Sequence, residues 1–265
     1  MKNSFSTEFV FQLFSLIVAI IIVHTVYVGV IRPNAAAMLE EQQVMIAENP
    51  DYVPERSGYV IVKDFEQEAC FILMVWALSI MGYKAWAANR ERSLLLLDLV
   101  PVAEGVRILP EDTREYARQL QAMPDVQRRL LLPRTLLAAL ERFGATRNVQ
   151  DVSSSTHTLV TSEAERLESE LSMIRYIAWA IPSIGFIGTV RGIGSALGLA
   201  HRAVDGDISG VTQSLGTAFN STFIALLISI FLMFLVHQLQ LLQERLAFDA
   251  ENYVDQHLIR HMYTH

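Results

Sequence analysis

The chain has 265 residues, of which 52% are hydrophobic and 18% charged, and it carries a net charge of −7. Soluble domains carry about a quarter charged residues; here the deficit is concentrated in long apolar runs between charged stretches, the pattern of membrane spans joined by aqueous segments. The acidic balance and the lack of a Lys/Arg cluster argue against nucleic-acid binding, the single cysteine, Cys70, excludes an internal disulfide framework, and no phosphate loop, zinc-ligand set or nucleophile elbow marks an enzyme.

Residues 1–31 hold the N-terminus and a first span, the run Phe9–Ile31. About 20 residues at 1.5 Å rise cross a hydrocarbon core of about 30 Å. The run exceeds a signal-peptide core of roughly 7–15 residues, so it is expected to stay in the mature protein. Residues 32–68 form an acidic loop, expected on the extracytoplasmic side. Span two covers 69–86, with Lys84 placed to snorkel from its end.

Residues 87–175 are expected to be a helical cytoplasmic region. The stretches 111–123 and 125–143 place apolar residues at helical spacing among charged ones. Pro101, Pro110, Pro124 and Pro133 divide it into short helices, Gly144 reads as a helix stop, and Asp151–Ser155 supplies an N-cap for a helix running into span three. The Glu163, Glu165, Glu168 and Glu170 carboxylates read as a solvated face. Lys84, Arg90, Arg92 and Arg175 border this region, which by the positive-inside rule makes it cytoplasmic. Arg32 and Arg202 fall on the other side.

Span three covers 176–200 and contains Gly185, Gly188, Gly192, Gly194 and Gly198. In lipid, glycines four apart let helix backbones approach closely, so these five read as helix-packing positions. A short extracytoplasmic loop, 201–210, leads to span four, 211–237. There Ser214, Thr217 and Ser221 recur at i, i+3 and i+7 as one hydroxyl stripe, with Asn220 beside it. Such hydroxyls either bind helices together by bonding backbone carbonyls or line a hydrated path. A tail helix, 238–265, carries His257, His261 and His265 four apart. No Cys or acidic cluster completes a metal set around them, so no metal and no other cofactor is expected. The whole is an all-α integral membrane protein, with four transmembrane helices and a helical cytoplasmic region between spans two and three.

No Asp or Glu falls inside the four spans as drawn. A proton path needs an ionisable relay. Arg191 does not release its proton, and His24 lies in span one. A second protein is therefore expected to bring the carboxylate.

Ile187-Gly188-Thr189-Val190 followed by Gly192 resembles the G-T-V-x-G signature of the MotA/TolQ/ExbB family's penultimate span. Gly216-Thr217-Ala218 resembles the threonine motif of its last span. The four-span layout is similar to that of flagellar stators. The resemblance covers residues 170–240 by motif and the rest by layout. It implies a homopentameric ring in the bacterial inner membrane, with both termini cytoplasmic, around a dimer of single-span MotB/TolR/ExbD-like subunits. Each partner carries an aspartate, and H+ or Na+ flow drives rotation of the ring. By this resemblance Thr189 and Thr217 line the ion path, and helical spacing adds Ser221, Ser214 and Asn220. Arg191 stands where the family has an apolar residue, and it reads as an outer mouth or a partner contact. The proline that follows the last-span threonine in the family is absent. Two other readings stay open: a non-conducting membrane scaffold of a cell-envelope complex, and a self-sufficient transporter using His24.

Overall fold

The structure, a computed structural model, describes residues 7–49, 52, 57–102 and 105–264. In chain order the helices are α1 Thr7–Val26, α2 Arg32–Glu48, α3 Gly58–Val62, α4 Phe65–Arg92, α5 Thr113–Gln121, α6 Asp125–Arg128, α7 Leu131–Thr146, α8 Val149–Glu170, α9 Ser172–Gly198, α10 Ala200–Val204 and α11 Ser209–His257. Among the described residues there is no strand, and backbone pairing outside helices is limited to a single bridge, Ile108 to Met262. Four helical stretches are long and apolar enough to cross a membrane: Glu8–Glu48, Phe65–Leu96, Val149–Gly198 and Ser209–His261. The chain is thus an all-α, multi-pass membrane protein.

The described residues form two compact units. One comprises the chain up to Met81 together with Met173–Val236; the other comprises Gly82–Ser172 and the residues from His237 on.

In the first unit, α1 runs through a wide turn, Tyr27–Ile31, into α2. In that turn the Arg32 N–H bonds the Tyr27 carbonyl, five residues back. Pro33 explains the widening. Its ring would strike the carbonyl four residues earlier in a regular helix, and a π-type turn opens room for it. Helix therefore continues well into the segment read from the sequence as a loop. Trp76 Nε1 ties α4 to α1 by donating to the Gln12 carbonyl at 2.9 Å.

A second proline shapes α9. Pro182 lies inside that helix and has no N–H to give the carbonyl of Ala178. Ser229 Oγ of α11 donates to that carbonyl at 2.9 Å. Ala178 is fully buried, so the freed acceptor has no access to water and the neighbouring helix satisfies it.

The second unit is built on α7. Leu132, Leu136, Ala139, Leu140 and Phe143 are buried along it and pack with Ala117, Leu120 and Val152 into one core. Three sequence expectations are corrected here. Gly144 lies within α7, and the helix ends at Arg147, whose φ of 52° is left-handed. What Gly144 provides is close approach, since a Cβ there would sit 2.8 Å from Thr113 Oγ1. The N-cap of α8 is Asn148, whose side chain accepts from the N–H groups of Gln150 and Asp151, so the helix starts ahead of Asp151–Ser155. Pro133 falls in the first turn of α7, where its missing N–H is no loss.

The carboxylates of α8 are not simply a solvated face. Glu163 is buried and paired with Arg134 at 2.7 Å and with Arg166. Glu170 bonds Arg166 at 2.5 Å and the buried Lys84 at 2.8 Å. Burial pushes the Glu163 carboxyl up, but the hydrogen bonds from Arg166 and Arg134 together hold it below the usual carboxylate range.

The tail is pinned to this unit. Ile108 N–H donates to His261 O at 2.7 Å, and Tyr263 N–H donates to Ile108 O at 3.0 Å. The even spacing of the three histidines is not kept on one helix, because α11 ends at His257. His257 stacks on Tyr253 with centroids 4.1 Å apart, and His261 meets the Val106 carbonyl. His265 lies outside the described residues. Among the described residues no group of three potential ligands stands ready for a metal.

Candidate functional site

The site is the contact of α9 with α11, and glycine creates it. A Cβ on Gly185 would collide with the Ala225 Cβ. On Gly188 it would lie 2.5 Å from the Ser221 Cβ, and on Gly192 it would lie 2.7 Å from the Ala218 Cβ. Only a missing side chain permits backbones this close. Gly194 and Gly198, grouped with them in sequence, meet nothing within 4 Å among the described residues. They lie on a different face of the same helix.

The close approach brings hydroxyls of one helix to carbonyls of the other. Thr189 Oγ1 reaches the Ala218 carbonyl at 3.0 Å and touches Thr222 Oγ1. Thr222 Oγ1 lies 3.0 Å from the Gly185 carbonyl. Each hydroxyl has one proton to donate. Thr189 Oγ1 also lies 3.4 Å from the Gly185 carbonyl of its own helix, so two protons serve four oxygen contacts and the pair has more than one donor arrangement. Thr222 was absent from the sequence-based set, and the structure makes it the partner of Thr189.

The other predicted positions divide. Ser214 Oγ donates to Gly210 O at 2.8 Å, and Ser221 Oγ donates to Thr217 O at 2.9 Å. Both bond back four residues along their own helix, the behaviour of packing hydroxyls. Ser221 is buried, and Thr217 and Asn220 are half-buried.

The charges near this contact also differ from expectation. The sequence placed the start of span two at residue 69, which left both nearby acids outside. The helix begins at Phe65, so Glu66 and Glu68 occupy its first turn. Arg191 pairs with Glu66 of its own chain at 2.7 Å, through Nη2 and Oε2. The Glu66 Cγ lies 3.2 Å from the place a Gly188 Cβ would take. An acid thus sits beside the hydroxyl-bearing helices after all. Glu68 is buried and accepts from Arg32; His24 Nδ1 meets its other oxygen at 2.6 Å. His24, the candidate relay of a self-sufficient transporter, is therefore tied to a carboxylate at the first turn of α4. Arg32 also covers the Tyr27 and Phe65 rings, at 5.6 and 4.4 Å.

Four apolar spans, with two of them drawn together by glycine and facing each other through hydroxyls, define a multi-pass membrane protein with a polar seam inside an apolar bundle. Residues 128–252 match the sequence profile of the MotA/TolQ/ExbB proton channel family, a match that supports assigning the chain to this family. The matched segment contains every hydroxyl of the seam. No match was found among curated proteins or among solved structures. The family gives the chain an ion-channel-related function.

Proposed function

We propose that the chain is the ring subunit of a motor driven by ion-motive force, conducting H+ or Na+ together with a single-span partner that carries an aspartate. In this reading five copies surround a dimer of that MotB/TolR/ExbD-like partner in a bacterial inner membrane. Both termini face the cytoplasm, and ion flow becomes rotation of the ring. One charge crossing 100 mV yields about 2.3 kcal/mol, so several ions per cycle suffice for mechanical work.

The observation that carries the reading is that the family match spans the two helices whose hydroxyls meet at Gly188 and Gly192. Thr189, Thr222 and Thr217 supply oxygens that can bond a carboxylate, a water or an ion in turn. A scaffold reading has one observation in its favour: the Thr189 and Thr222 hydroxyls reach carbonyls of the facing helix, as structural bonds do. The two readings separate in proteoliposomes made from the affinity-purified native complex. Thr189→Val with Thr217→Val is expected to cut proton or sodium flux at least tenfold without changing the assembled mass. Flux equal to wild type in the double variant, or no flux from the wild-type complex, rejects the motor reading.

A further inference from the structure

We propose that Glu66 is a proton-carrying carboxylate that this chain itself adds to the ion path, with Arg191 as its counter-ion. The inference rests on the conducting reading above and adds a relay group within the ring subunit.

Depth comes first. Gly188 lies about 18 Å along span three from Tyr176, at 1.5 Å per residue. Ser221 lies about 15 Å along span four from Val211 by the same rise. With the spans as drawn from the sequence, both fall well inside a hydrocarbon core of about 30 Å. Glu66 stands in the first turn of α4, at the outer end of span two, and its side chain reaches inward to this contact: its Cγ and the Ser221 Oγ both lie within 3.2 Å of a Cβ placed on Gly188. A carboxylate reaching in among apolar spans is costly unless it is paired, and such residues mark ion pathways.

The pairing distinguishes Glu66 from its neighbour. Glu68 is held from two directions, by Arg32 and by His24, and is buried. Among the described residues Glu66 pairs with Arg191 alone, and the Arg191 side chain is 49% exposed on the surface of the single chain. Nearby, Asp64 bonds Lys63, and the Tyr27 hydroxyl is buried without a partner among the described residues; Glu40, Glu41, Arg202 and Asp205 lie exposed in the adjoining segments. Of the two acids in the first turn of α4, Glu66 is the one held by a single counter-ion, and that counter-ion is more exposed than Arg32.

The step balances with one proton. Glu66 takes a proton from a hydronium ion on the side of residues 32–68; an O–H bond forms on the carboxyl and one breaks in the hydronium. The neutral acid lets Arg191 swing free. It can then donate a hydrogen bond to Ser221, whose own proton is directed to Thr217 O. Loss of the proton to water restores the carboxylate and its pair with Arg191.

The test uses the full chain in lipid vesicles and pH-difference infrared spectroscopy. Acidification is expected to raise a carboxylic-acid carbonyl band that is missing in Glu66→Gln and kept in Glu41→Gln, a change at an exposed position of α2. A band unchanged in Glu66→Gln overturns the proposal. In proteoliposomes of the native complex, Glu66→Gln is expected to lower proton flux at least tenfold, and Glu66→Asp to retain most of it. Should Glu66→Gln fail to assemble because Arg191 is left unpaired, Glu66→Gln with Arg191→Gln removes both charges. A relay role predicts that this double variant assembles and does not conduct, whereas wild-type flux from it overturns the proposal. The infrared band needs no partner, so loss of the motor reading (no wild-type flux) is distinguishable from loss of this one (no Glu66 band).

Discussion

At the scale of single residues, the seam between α9 and α11 shows how little a hydroxyl's position along one helix says about its partner. Ser214, Thr217 and Ser221 form a regular stripe, and the regularity drew attention to them. Thr222 lies one residue off the stripe and makes the contact with Thr189. Which hydroxyl meets Thr189 depends on the crossing of two helices, and Gly185, Gly188 and Gly192 set that crossing. The glycines were legible because small residues four apart have one well-known use in lipid. The pairing was not, because it depends on two helices at once. Glu66 was missed for another reason: a hydropathy boundary excludes charges by construction. A capping signal was present, since Asp64 N–H donates to Gln67 Oε1 at 3.0 Å, the mark of a helix starting at Phe65. The Thr189–Thr222 contact predicts a coupling. Thr189→Val and Thr222→Val should be non-additive in stability by about 0.6–1.7 kcal/mol, the range of side-chain hydrogen bonds between membrane helices. Thr189→Val and Thr217→Val should add within about 0.5 kcal/mol. Reversible unfolding in mixed micelles measures both cycles, and coupling to Thr217 in place of Thr222 would contradict the geometry.

At the scale of elements, prolines organise the spans and their work is done by what they leave out. Pro33 widens the end of α1, and Pro182 frees a carbonyl inside α9 that α11 answers through Ser229. The sequence showed Pro182 inside an apolar run, and the physics of a missing donor asks for a hydroxyl nearby. It does not say which of the hydroxyls in span four supplies it, because that again depends on the crossing. The same lesson holds for α8. Its carboxylates looked solvated from spacing alone, yet Glu163 turns inward because Arg134 and Arg166 approach from two helices. The proline argument can be tested. Ser229→Ala leaves the buried Ala178 carbonyl without a partner, a penalty of about 1–3 kcal/mol. Pro182→Ala restores an N–H four residues along the helix and should return most of that loss in the double variant. Thermal unfolding of the purified chain in detergent would show it. If Ser229→Ala costs the same in the Pro182→Ala background, Ser229 acts elsewhere.

At the scale of the whole molecule, the two faces of α9 divide the packing within one chain from any packing between chains. Gly188 and Gly192 are filled by α11, while Gly194 lies two residues on from Gly192, about 200° around the helix. Gly198 shares its face, and both open on nothing within 4 Å among the described residues. Large apolar side chains such as Trp179, Phe186, Phe219 and Ile230 lie exposed on the same two helices. Lipid tails solvate those side chains as well as a protein would, so their exposure alone does not call for a partner. A glycine pair differs, because lipid gains nothing from a groove that a second backbone can enter. In the pentamer proposed above, this groove is where a neighbouring subunit would approach. Gly194→Leu with Gly198→Leu should therefore leave the chain folded, with helical content and melting unchanged, and reduce it to smaller species in native mass spectrometry. Gly192→Leu should act in the opposite order and destabilise the chain itself, since its side chain would run into the backbone of Ala218. If the Gly194/Gly198 variant keeps its full oligomeric mass, the groove faces lipid, and the ring must be built on other surfaces of the spans.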